Sequence, residues 1–150
     1  MSLFSLEGRV ALVTGAGRGI GRGIAEEFGA NGAKVVCSAR TRSQLDDAVA
    51  SIESSGSDAL AVEIDVSDLE SINAGVQTAI NQFGQIDVLV NNAGMNVREP
   101  MMEATEEHYD QIMAVNLKGL YFLSQAVAKR MISRQQGKII NIGSLTTSTC

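Results

Sequence analysis

The stretch TGAGRGIGRG, Thr14 to Gly23, follows an apolar run and has the residue types that receive phosphate. Gly15 permits a tight turn, Gly19 lets the backbone approach a pyrophosphate closely, and Gly21 lets the following helix pack against a sheet. The start of that helix offers free N–H groups and partial positive charge to an anion. A Walker-type loop is excluded, because no Gly-Lys-Ser/Thr follows. Three cations and one hydroxyl complete the chemical inventory. Arg18 sits inside the glycine turn, Arg40 and Arg42 follow the second apolar run, and Ser144 follows the last.

Taken singly, the remaining polar candidates are ordinary. Asn91-Asn92-Ala93-Gly94 reads equally well as a strand-to-loop turn, Asn116 as a polar residue at a helix bend, and Ser144 as a turn or helix cap. Only their joint spacing gives them a chemical meaning.

The elements that must position them alternate. Short apolar runs at Val10–Val13, Val35–Ala39, Leu60–Ile64, Asp87–Val90 and Lys138–Ile142 suit strands buried on both faces of a parallel sheet. Leu45, Ala48, Val49 and Ile52 have helical spacing, as do Ile72, Val76, Ala79, Ile80 and Phe83. Thr41 with Gln44, and Ser67 with Glu70, predict capping boxes, and Gly56 and Gly84 predict helix ends. A long helix is predicted over 106–133, bent near Asn116, with Glu106 and Glu107 as favourable charge in its first turn. Repeated strand-helix-strand units predict an α/β doubly wound parallel sheet ordered 3-2-1-4-5, with its crevice at the carboxyl ends of the first and fourth strands.

Composition narrows the class. The 150 residues suit one domain, with 45% hydrophobic and 19% charged residues and a net charge of −5. That charge argues against nucleic-acid and membrane-surface partners. No leader pattern and no membrane-spanning stretch is seen, and Cys37 and Cys150 have no metal or disulfide spacing. A cytoplasmic location and no metal are expected. His108 reads as solvated, and Met95, Met101 and Met102 as loop packing.

With these elements in place, the chain resembles the short-chain dehydrogenase/reductase family in its shorter branch. The resemblance rests on Thr14-Gly15-x-x-x-Gly19-x-Gly21, Asp65-Val66, Asn91-Asn92-Ala93-Gly94, Asn116 in AVNLKG and Ser144 in NIGS, in register along the chain. It implies a Rossmann domain in which Thr14, Gly15, Arg18, Gly19, Ile20 and Gly21 bind a nicotinamide dinucleotide. Asp65 and Val66 would flank its adenine, and Asn92, Ala93 and Gly94 would line its ribose and hold the sheet centre. Asn116 would organise a proton-relay water, and Ser144 would hydrogen-bond the reacting oxygen. The same resemblance implies a small carbonyl or alcohol substrate and a homo-oligomer, dimer or tetramer, built partly on the long helix. The run LYFLSQAVA, Leu120 to Ala128, is compatible with that assembly and with packing on the sheet.

The family also uses a Tyr-x-x-x-Lys pair after the serine. The tyrosines here are Tyr109 and Tyr121, both before Ser144, and Tyr121 is followed four residues later by Gln125. A neighbouring cation is needed to lower a phenol from about 10 toward neutrality. Residues 1–150 are therefore expected to be an incomplete domain of a longer enzyme, inactive alone. The other reading is a natural short protein, a non-catalytic nucleotide binder or regulatory subunit.

An NAD-preferring site places an acid near the end of the second strand. Here Ala39-Arg40-Thr41-Arg42 stands there, and Arg40 with Arg18 suits a 2′-phosphate, so NADP(H) is expected over NAD(H). For substrate, Arg98 in NVREP has the charge to pair with a carboxylate. That stretch is similar to sugar-acid dehydrogenases such as gluconate dehydrogenases. A 3-oxoacyl-carrier-protein reductase is the rival reading, and an exposed arginine without a ligand is a third.

Overall fold

The computed structural model describes residues 4–144. Five strands alternate with helices: β1 Val10–Thr14, α1 Gly19–Ala30, β2 Lys34–Ala39, α2 Arg42–Ser54, β3 Ala59–Glu63, α3 Leu69–Phe83, β4 Val88–Asn91, α4 Glu106–Met113, α5 Leu120–Ser133 and β5 Lys138–Asn141. All pairings are parallel and the order is β3-β2-β1-β4-β5, as the alternation predicts. Chain connectivity reverses direction between β1 and β4, so their carboxyl ends splay apart and leave a crevice.

Two apolar layers flank the sheet. One joins Leu12, Val36, Ile64 and Leu89 to Ile72 of α3 and to Leu123 and Val127 of α5. The other joins Val13, Val35 and Val90 to Ala25 of α1 and to Leu45, Ala48 and Ile52 of α2. Neighbouring strand residues thus feed opposite layers, which is why these strands read as continuous apolar runs.

Four local expectations are corrected. Thr41 precedes α2 without a side-chain cap bond, and the Gln44 side chain packs beside Gly17, where an added Cβ would lie 2.9 Å from its own Cβ. Asp68, not Ser67, caps α3 by accepting from the Glu70 N–H at 2.9 Å. Ser67 is already committed, its hydroxyl donating to Asp65 at 2.6 Å. The third concerns β5, read from its apolar run as buried. Ile139, Ile140 and Ile142 are 39%, 41% and 38% exposed, since among the described residues β5 pairs with β4 alone. In the fourth, Met101 and Met102 do not pack; they project from a short 3₁₀ turn, 90% and 94% exposed.

The bend expected near Asn116 is a π-helical segment, Ala114–Gly119, between α4 and α5. Gly119 is required there, because a Cβ would collide with the carbonyl of Val66. Gly84 ends α3 in the left-handed region at φ 80°, as a glycine cap should. Among the described residues, no helix is long and apolar enough to cross a membrane, and no cluster of three metal-ligating side chains occurs.

Candidate functional site

A cavity of about 660 Å³ opens at the carboxyl ends of the strands. Thr14, Gly15, Arg18, Gly19, Ile20, Arg40, Asp65, Val66, Asn92, Ala93 and Gly94 all line it. So do Ser38, not selected from the sequence, and Met95, read there as loop packing.

Local bonds explain why the wall has this shape. Thr14, last in β1, accepts from the N–H groups of Asn92 (3.0 Å) and Ala93 (2.9 Å), and donates to the Val90 carbonyl at 3.3 Å. The Asn92 amide in turn donates to the carbonyls of Thr14 at 3.0 Å and Gly15 at 3.4 Å. The glycine turn and the loop after β4 are therefore one unit. Gly15 has φ +65°, and its Cβ would lie 2.8 Å from Asn92 Nδ2. Gly21 lies against the Gly15 carbonyl and Asn92 Nδ2, with no room for a Cβ. Its role is thus to seat α1 against the turn and the β4 loop; packing on the sheet, the sequence-based expectation, is not what constrains it. Gly19, at φ +57°, faces open space, the condition for close approach by a ligand.

The electrostatics are asymmetric. Arg18 and Arg40 form no ion pair among the described residues, whereas the lining's single acid, Asp65, is engaged. Hydrogen bonds from Ser67 hold the Asp65 carboxyl below the usual aspartate range, with a smaller contribution from Arg40, against opposition from burial. Ser38 is fully buried in β2, and its hydroxyl has no partner among the described residues. An orphaned hydroxyl, two unpaired guanidinium groups and an open Gly19 backbone fit an anionic, partly polar ligand of dinucleotide size. The signal for Ser38 was present in VVCSA: a lone polar residue inside an apolar run.

Asn116 does something the sequence did not suggest. Its Oδ1 accepts from Met95 N at 2.9 Å and its Nδ2 donates to Met95 O at 2.8 Å. Its side chain thereby clamps the loop after β4, leaving its own backbone within the π-helical segment. Ser144 lies three residues past β5, exposed, and does not line the cavity. Arg98 is likewise exposed and outside the lining. His108, expected to be solvated, places Nδ1 2.8 Å from Glu99 Oε2, while its N–H is capped by Thr105. Cys37 is buried, and burial pushes its thiol up to about 12; Cys150 lies outside the described residues.

Comparison with known proteins accords with this geometry. Residues 9–149 match the short chain dehydrogenase family. Gluconate 5-dehydrogenase of Gluconobacter oxydans (strain 621H) is 42% identical over 143 residues, 95% of this chain and 56% of that protein. A 3-oxoacyl-[acyl-carrier-protein] reductase of Vibrio cholerae serotype O1 is 42% identical over 141 residues, 94% of this chain and 57% of that protein. Among solved structures, a metagenomic short-chain oxidoreductase in complex with NADP superposes with TM-score 0.90 at 40% identity, covering 97% of this chain and 66% of that one. An NAD+-bound xylitol dehydrogenase gives TM-score 0.90 at 30% identity, covering 95% and 55%. The chain spans about half the length of the curated relatives it matches. The glycine turn welded to the β4 loop, the cavity at the strand ends and the match over almost the whole chain lead to one conclusion: this chain belongs to the short-chain dehydrogenase/reductase family of oxidoreductases.

Proposed function

We propose that the cavity holds NADP(H) in preference to NAD(H), and that the complete protein transfers hydride between the nicotinamide and a carbonyl or secondary alcohol carbon. The observation that carries the cofactor preference is the pair Arg18 and Arg40. Both line the cavity, neither is in an ion pair among the described residues, and no acid stands at the end of β2. A ribose 2′-phosphate offers both guanidinium groups a hydrogen-bonded anionic partner, which a 2′-hydroxyl does not.

The cofactor supplies the hydride and the electrophilic ring. This chain's residues do the rest of the positioning. Thr14 and Asn92 fix the wall, Gly19 admits the pyrophosphate, Asp65 and Val66 border the adenine, and Asn116 clamps the loop beside the ribose. Ser144 would hydrogen-bond the reacting oxygen. The proton would come from a tyrosine with a lysine neighbour, a pair not found in residues 1–150.

For substrate we propose a sugar acid of the gluconate type, with Arg98 pairing its carboxylate. The resemblance to gluconate 5-dehydrogenase supports this reading. A 3-oxoacyl-carrier-protein reductase is the second reading, supported by a relative of equal identity. A homo-oligomer is also proposed. An apolar hollow between α4 and α5 is bordered by Met113, Leu117, Tyr121 and Phe122, with Leu117 and Tyr121 56% and 60% exposed. The test is a screen of gluconate, its keto acids and 3-oxoacyl thioesters on the full-length protein with NADPH and NADH. Turnover of thioesters alone would reject the sugar-acid reading. Binding without any turnover would favour a non-catalytic nucleotide binder.

A further inference from the structure

We infer that Asn91, Ser124 and Asn141 form a positioning set for Ser144, an inference that rests on the proposed role of that serine. Asn91 is the last residue of β4 and only 4% exposed. Its Nδ2 donates to Ser124 Oγ of α5 and to Asn141 Oδ1 of β5, both at 2.9 Å. Its main-chain carbonyl accepts from Ile142 N at 2.9 Å, and Asn91 and Asn141 are register partners. One residue therefore grips β5 through main chain and side chain just before Ser144, and ties it to α5.

Three observations point away from simple packing. The Asn91 Oδ1 is buried without a partner among the described residues, an arrangement that is unfavourable unless the amide's direction matters. Among the described residues β5 pairs with β4 alone, and Asn91 bridges that pairing with its side chain as well as its main chain. Finally, the strand's alternation divides the double asparagine. Asn92 turns to Thr14 and Gly15, while Asn91 turns to β5 and α5. The two adjacent residues thus connect the dinucleotide turn on one side to the serine-bearing strand on the other. A small displacement of that strand would move the hydroxyl from its reacting geometry.

The test uses Ser124→Ala, Ser124→Thr, Asn141→Ala and, as reference, Ser144→Ala in the full-length protein. Ser124→Ala should lower kcat roughly twofold to tenfold, the range of one neutral hydrogen bond. KM for cofactor and the calorimetric NADP affinity should be unchanged. Its Tm should be equal or higher, because alanine is the better helix former. Ser124→Thr, which keeps the hydroxyl, should recover most of the rate. Asn141→Ala should lower kcat by about tenfold to a hundredfold; should that variant not fold, the Ser124 pair decides alone. Wild-type kcat in Ser124→Ala, when Ser144→Ala is inactive, overturns the inference and leaves the role of Ser144 intact. A parallel loss of NADP affinity in Ser124→Ala also overturns it, since that marks a general structural role. Normal turnover by Ser144→Ala overturns the reading of the serine itself, and the inference with it.

Discussion

The two ends of the sheet treat buried polar groups differently. At the amino end, Asp87 is 3% exposed and fully engaged. Its Oδ2 accepts from Val10 N at 2.9 Å and Gln85 Nε2 at 2.8 Å, and Arg134 Nη2 reaches Oδ1 at 3.3 Å. Arg134 also donates to Gln85 Oε1 at 2.6 Å and to the Ile86 carbonyl at 2.9 Å. This network joins β1, β4 and the end of α5. At the carboxyl end, Ser38 Oγ and Asn91 Oδ1 are buried without partners among the described residues, and Arg18 and Arg40 form no ion pair among them. Saturated polar groups hold a fold; an unsaturated one at a cavity, as at Ser38, is placed to meet a ligand.

The comparison breaks first at its saturated end. Asp87→Ala should cost about 3 kcal/mol, because it leaves the buried Val10 N–H and the Gln85 amide without their acceptor. Urea unfolding checks this. An effect below the range of an ordinary surface substitution would show that the network is not what holds this end. Cofactor affinity measured well below the unfolding temperature should not change.

At the unsaturated end the losses should be in binding. Arg40→Ala should weaken NADP by about tenfold to a hundredfold, the worth of one charge-assisted hydrogen bond, and leave NAD nearly unchanged. Ala39→Asp should move preference toward NAD by supplying the missing acid. Equal losses for both cofactors on removing Arg40 would place it outside the 2′-phosphate site.

Smaller effects follow from titration. Asp65 is held below its ordinary value of 3.8, chiefly by Ser67. Its contribution to stability is present at neutral pH and is lost as pH falls through that lowered value, so Asp65→Asn should flatten the acid limb of the stability curve. Cys37 lies at the opposite extreme. Burial raises its thiol from 9.0 to about 12, so its contribution is present at neutral pH and is lost as pH rises above about 9. In a Cys150→Ser background the folded protein should resist thiol reagents at pH 8, and rapid labelling without unfolding would contradict its burial.

Much of this was legible in the sequence because the determining signals are local. The apolar runs located all five strands, and the glycine spacing located the turn at the crevice. The capping boxes at Thr41 and Ser67 were misread. The Gln44 side chain packs beside Gly17, and Asp65 takes the Ser67 hydroxyl. Contacts between distant residues left no local trace. Nothing near Asn116 announces its two bonds to Met95, twenty-one residues earlier, and nothing near Asn91 announces Ser124 or Asn141.

The most direct test of the proposed cofactor site is a calorimetric titration of the full-length protein with NADP and with NAD, repeated for Arg40→Ala. The wild type should bind NADP at least about tenfold more tightly than NAD, and that gap should close in the variant through loss of NADP affinity alone. Equal wild-type affinities, or a gap that survives removal of Arg40, would contradict it.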